Sequence, residues 1–228
     1  IVLKVWEVRM KRQVSLEEIS DGKLYGINDM VKADCNGCNG CFACCKGMGQ
    51  SIVLDPFDIF QITSNLNLKF EQLLEDKIEL NVVDGIILPN LKMVGVQEQC
   101  GFLNEEHRCS IHPFRPSICR LFPLGRYYEN RSFRYFLQVN ECKKENRSKI
   151  KVKKWIDIPN MKENEQFIIH WHYFLSDIQQ KIQENADTFD VKSINLFLLN
   201  HFYVLPYNGD FYKQFYIRLE QAKEILKK

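Results

Sequence analysis

Hydrophobic and polar residues follow two different periods in the two parts of this 228-residue chain. Residues 81–96 form short β-rich runs, and Asp84 and Gly85 between them are typical of a hairpin turn. Residues 132–139 are a further strand-like run. Residues 163–228 place apolar and aromatic side chains at helical spacing in three segments. The pattern predicts an α+β fold, with an irregular half that contains all the cysteines followed by a helical C-terminal half.

Local signals mark where several elements begin. The sequence "SLEE" at 15–18 has the spacing of a capping box and predicts a short helix. Asp55 and Pro56 are typical of an N-cap and a first turn, so a helix is expected to begin there. A second helix is expected over about 69–80. Residues 1–10 alternate as a strand would.

A basic run divides the two halves. Residues 143–154, "KKENRSKIKVKK", hold seven basic residues and one acidic residue. We interpret this run as a solvated loop at a boundary, although it would also suit docking of an acidic partner protein. The predicted division is therefore a cysteine-cluster metal-binding domain over 1–150 and a helical, aromatic-rich region over 151–228.

Composition narrows the classes of function. The chain has 31 basic and 29 acidic residues, and a net charge of +2 favours neither a nucleic-acid nor a membrane partner. No run of 18 apolar residues occurs, so no transmembrane helix is expected. The first residues do not resemble a signal peptide. These features predict a cytoplasmic protein.

The cysteines are the main chemical signal. Nine are present, and five of them lie within residues 35–45. Neighbouring cysteines in one short loop are poorly placed to bridge each other, and the number is odd, which favours metal-bound thiolates over disulfides. Thiolates are soft ligands that suit zinc and iron–sulfur clusters. The nine positions are Cys35, Cys38, Cys41, Cys44, Cys45, Cys100, Cys109, Cys119 and Cys142.

Two interpretations of the first cysteines are open. Cys35, Cys38, Cys41 and Cys45 have the C-x₂-C-x₂-C-x₃-C spacing of bacterial ferredoxins, although Lys46 stands where those proteins usually have proline. From Cys38 onward, "CNGCFACC" is instead a CxxCxxCC motif. It is followed by "SIVLDPFDIFQI" and then by "CGFLNEEHRCSIHPFRPSICRLFP".

Together these motifs resemble the YkgJ-like cysteine-cluster family, described as a zinc- or iron-chelating domain. The resemblance covers about residues 35–142 and implies eight metal ligands, with Cys35 outside the pattern. They would form two four-thiolate centres, or one centre with the other thiols structural. The implied ligands are Cys38, Cys41, Cys44, Cys45, Cys100, Cys109, Cys119 and Cys142.

The family includes flagellin lysine-N-methylases, which use S-adenosylmethionine and are associated with a 4Fe–4S centre. Three hypotheses follow. The favoured one is an iron–sulfur protein, of the 4Fe–4S type, whose helical half docks a partner or substrate protein. The second is a protein-lysine N-methyltransferase that uses S-adenosylmethionine. The third is an adaptor stapled by zinc.

Charged and imidazole side chains near the distal cysteines are further candidates. Arg115 and Arg120 are predicted to stabilise an anionic thiolate centre or to bind an anionic cofactor, and a salt bridge at a helix start is the alternative. His107 and His112 flank Cys109, and either would replace a thiolate if the metal were zinc.

Overall fold

The structure, a computed structural model, describes residues 15–36, 38, 41–184 and 190–226. The strand expected over residues 1–10 lies outside the described residues. The α+β class predicted from the sequence is confirmed. The helices are α1 Leu16–Ile19, α2 Pro56–Leu66, α3 Phe70–Asp76, α4 Ser117–Leu121, α5 Val152–Ile156, α6 Met161–Glu184, α7 Val191–Leu199 and α8 Phe211–Ile225. The strands are β1 Ser20–Tyr25, β2 Met30–Asp34, β3 Ile78–Val83, β4 Ile86–Leu91, β5 Met93–Val94, β6 Gln99–Cys100, β7 Leu124–Glu129, β8 Ser132–Gln138 and β9 Ser148–Lys151.

Helix α2 begins as its caps predict. The Asp55 side chain accepts a hydrogen bond from the backbone N–H of Asp58, and the Asp58 side chain accepts one from the N–H of Asp55. Pro56 occupies the first turn, where its missing N–H costs nothing. The Ser15 cap of α1 is also confirmed, since its side chain accepts from the N–H of Glu18.

The predicted hairpin is confirmed, and the predicted second helix is too long. Strands β3 and β4 pair antiparallel around Asp84 and Gly85, which both have positive φ as a tight two-residue turn requires. Helix α3 ends at Asp76 rather than near residue 80. Ile78 is fully buried at the start of β3 and pairs with Leu91, and this pairing competes with further helix.

The other sheets join segments that are far apart in the sequence. Strand β8 lies between β1 and β7 in an antiparallel three-stranded sheet. Strand β9 pairs with β2, so residues 148–151 of the basic run are a strand and residues 152–154 begin α5. The expectation of a solvated loop over the whole run is therefore wrong. Alternating apolar residues in the run supply the reason, because Ile150 packs against a core and Val152 is fully buried.

Two hydrophobic cores hold these elements. The larger core packs α2, α3 and the β3–β4 hairpin against α6, α7 and α8, with Phe167, Phe202 and Phe215 fully buried at its centre. The smaller core lies under β2, α5 and β8, and its members include Val31, Trp155 and Tyr135. The larger core thus includes residues from both sides of the predicted boundary at residue 150. No helix in the described part of the chain combines the length and apolar character needed to cross a membrane.

A buried polar contact fixes α4 against α2. Asp58 is almost completely buried, and its Oδ1 accepts hydrogen bonds from the backbone N–H of Ser117 at 2.7 Å and from the Ser117 hydroxyl at 2.8 Å. Ser117 is the first residue of α4, which also carries Cys119. The start of this helix is therefore held by one carboxyl group.

The carboxyl group of Asp55 is expected to make the free energy of unfolding depend on pH. Desolvation, followed by the neighbouring charge of Asp58, raises the pKa of Asp55 well above its ordinary value of 3.8. The folded state therefore keeps a proton that the unfolded chain releases, and the free energy of unfolding falls as pH rises from about 4 towards the raised pKa. Asp55→Asn keeps the cap and removes this titration. Denaturant unfolding between pH 4.5 and 7 should show a smaller decline for the variant; equal slopes would contradict the account.

Candidate metal centre

The first cysteines lie on tight backbone turns. Asn36 and Cys38 have positive φ of 59° and 58°, and the N–H of Cys41 donates to the carbonyl of Cys38 at 3.0 Å. Left-handed backbone is uncommon for cysteine and points to a functional constraint at Cys38. A 3₁₀ turn then spans Ala43–Cys45. These backbone turns bring several thiols of one short segment close together.

One set of thiols lines a small pocket, here called the outer pocket. The Sγ atoms of Cys35 and Cys38 are 3.4 Å apart. Phe122, Pro123 and Trp155 supply an apolar wall beside the thiols. Cys142 reaches the same pocket from a segment about a hundred residues further along the chain. The thiols that line it are Cys35, Cys38, Cys41, Cys44 and Cys142.

A second set, here called the inner thiols, packs against the larger core. Cys100 ends β6 and is buried, and Cys109 forms an isolated β-bridge with Leu103. Cys119 lies on α4 and also packs against this core. The inner thiols are Cys45, Cys100, Cys109 and Cys119. All nine cysteines are free thiols.

Cys44 lies between the two sets. It lines the outer pocket, and it also shares a hydrogen bond with the thiol of Cys45. That bond lowers the pKa of Cys44 to about 7. The same bond, together with desolvation, raises the pKa of Cys45. Burial raises the pKa of Cys38 to about 12 and that of Cys119 well above its ordinary value. Because a metal binds thiolates, binding would release protons from these groups.

The residues fit a thiolate-bound group by their chemistry. Among the described residues, no three His, Cys, Asp or Glu side chains are already arranged around a single ion position. The donors nevertheless are soft sulfur atoms, and the positive charge of Arg115 acts on Cys44, Cys38 and Cys109. The buried Nε of Arg115 has no hydrogen-bond partner within the described part of the chain. An anionic thiolate centre would supply the acceptor that this group requires.

The two predicted arginines have different surroundings. The guanidinium of Arg120 donates to three backbone carbonyls, those of Arg115, Asp157 and Pro113, and so clamps the turn before α4. Arg115 contacts the Nε2 of His112. Both arginines also line a cleft of about 270 Å³ between α2 and the start of α8. Their role in binding a cofactor stays a prediction.

Other cations near the thiols were missed by sequence reasoning. The Arg108 guanidinium donates to the carbonyl of Cys38 at 3.1 Å. This hydrogen bond links the segment that carries Cys109 to the turn at Cys38. Lys143 and Lys144 line the outer pocket beside Cys142. The adjacency of Arg108 to Cys109, and of the two lysines to Cys142, was the available signal.

The two histidines near Cys109 make other contacts. His107 is exposed and stacks on the ring of Phe42, with ring centroids 4.6 Å apart. His112 has its Nε2 against Arg115. Neither contact directs an imidazole nitrogen to a thiol.

Substitution of the histidines should therefore leave metal binding intact. We expect His107→Ala and His112→Ala to keep the full metal content of the parent protein, because sulfur supplies the ligands. Cys109→Ser is the matched positive control and should lose metal. Elemental analysis of the purified proteins for iron and zinc measures the effect, and loss of either metal from a histidine variant would contradict it.

The fold and the gathered thiols define a cysteine-rich, metal-chelating class of protein. A family model named CxxCxxCC, with the description "Putative zinc- or iron-chelating domain", matches residues 37–156, which is more than half of the chain. The chain belongs to this family, as the cysteine pattern predicts. No curated protein and no solved structure matches the chain significantly.

Proposed function

We propose that this protein binds an iron–sulfur cluster of the 4Fe–4S type through thiolates of its family cysteines. One observation carries the proposal: five free thiols line the outer pocket, four more pack against the larger core, and the turn Ala43–Cys45 contributes one thiol to each set. One structural zinc ion and one 4Fe–4S cluster each take four thiolate ligands. The thiols here exceed that number more than twofold.

The surroundings of the thiols also support sulfur-only ligation. Zinc sites commonly include imidazole, yet His107 and His112 make other contacts. A cluster bound by four thiolates is anionic, and Arg108, Arg115 and the two lysines at the outer pocket offer positive charge. Such a group supplies one-electron transfer or a structural centre when bound.

The residues of this chain would have separate tasks. The thiols would hold the group, Arg115 would offset its negative charge, and Phe122, Pro123 and Trp155 would limit the access of water. A protein partner, a methyltransferase activity with S-adenosylmethionine and a cytoplasmic location remain predictions from the sequence.

Anaerobic purification tests the proposal. We expect a brown protein with a broad visible absorption that bleaches on reduction, and with iron and acid-labile sulfide in equal amounts. A colourless protein with stoichiometric zinc and no iron would refute it. Chelation followed by addition of zinc alone gives a second test, because only a zinc-stapled protein should regain its fold in this way.

A further inference from the structure

We propose that the thiols form two separate metal centres, and that Cys35 is a ligand of the outer one although it lies outside the matched family segment. This inference rests on the proposed metal binding and extends it to which thiols share a centre. The outer centre would use Cys35, Cys38, Cys41 and Cys142, and the inner centre would use Cys45, Cys100, Cys109 and Cys119.

The contact between Cys35 and Cys38 assigns Cys35 to a centre. Their Sγ atoms are 3.4 Å apart. Two sulfur ligands of one tetrahedral zinc ion are about 3.8 Å apart when each Zn–S bond is about 2.3 Å. A ligand at Cys38 would therefore bring any metal within reach of Cys35. Both residues pack against the smaller core, and both line the outer pocket with Cys41 and Cys142.

The inner thiols contact a different part of the fold. Cys45, Cys109 and Cys119 pack against the larger core, of which Cys100 is a buried member. None of these four lines the outer pocket. The larger core thus presents four thiols, and the outer pocket presents four besides Cys44. Four is the number that one tetrahedral ion or one cubane cluster requires.

The turn Ala43–Cys45 accounts for the different surroundings of its two adjacent cysteines. A 3₁₀ turn has about three residues per turn, so consecutive side chains point about 120° apart. Cys44 accordingly lines the outer pocket, while Cys45 packs against the larger core. Cys44 lies at the junction of the two centres.

Serine variants of the full chain test this arrangement. Cys35→Ser and Cys119→Ser should each retain about half of the metal of the parent protein, and the double variant should retain almost none, because one centre is lost in each single variant. Ala43→Ser is the matched control, since it adds a hydroxyl in the outer pocket without removing a thiol. Iron and zinc are both measured after anaerobic purification, with circular dichroism as the check of folding.

Each outcome decides between the proposals. Full metal content in Cys35→Ser would overturn the role of Cys35, and complete loss in Cys119→Ser with an intact fold would overturn the division into two centres. If the parent protein contained zinc in place of iron, and each single variant retained about half of that zinc, the iron–sulfur proposal would be refuted and the two centres would stand. A parent protein with neither metal would contradict both.

Discussion

Replacement of Phe167 by alanine is expected to lower the free energy of unfolding by about 3–5 kcal/mol. Phe167 on α6 is fully buried, and its ring centroid lies 4.6 Å from that of Phe215 and 5.2 Å from that of Phe211, both on α8. It also contacts Phe57 on α2. The substitution leaves a cavity where three helices meet, and neighbouring rings fill such a space only in part.

Denaturant unfolding measures this effect. Ile217 on α8 offers the control, because its side chain is 60% exposed and Ile217→Ala should change stability by less than about 0.5 kcal/mol. If Phe167→Ala were no worse than Ile217→Ala, the packing of α6 on α8 would be wrong.

Asp58→Ala is expected to cost about 2–6 kcal/mol of stability. The substitution removes the acceptor for the backbone N–H groups of Ser117 and Asp55, and each buried unsatisfied donor costs about 1–3 kcal/mol. Ser117 starts the short helix that carries Cys119, so the variant should also hold less metal than the parent protein.

The control for Asp58 is a carboxylate on the surface. Asp177 is exposed and pairs with Arg131, and Asp177→Asn should cost less than about 1 kcal/mol because exposed ion pairs contribute little. Asp58→Asn keeps one acceptor oxygen and should fall between the two. Equal stability of Asp58→Ala and the parent would show that Asp58 does not hold α4.

Local signals in the sequence predict much of this fold. The cap at Asp55 and the turn at Asp84 and Gly85 depend on residues within four positions of each other, and both predictions are confirmed. The end of α3 and the strand at 148–151 depend on partners elsewhere in the chain. A helical pattern yields to strand pairing when the partner strand buries the same residues, as Ile78 does against Leu91.

The cysteine motif predicts the family but not how the thiols are divided. Cys44 and Cys45 are adjacent in the motif, but Cys44 lines the outer pocket while Cys45 packs against the larger core. Spacing sets Cys35 apart from the family pattern, although the folded chain places it against Cys38. Position in space, rather than order in the chain, decides which thiols are able to share a metal.

X-ray absorption at the iron and zinc edges of the anaerobically purified protein tests the central claim most directly. The proposal predicts an iron edge whose first shell consists of sulfur only, followed by iron–iron scattering from a cluster. A zinc edge with no iron, or a first shell that contains imidazole nitrogen, would contradict it.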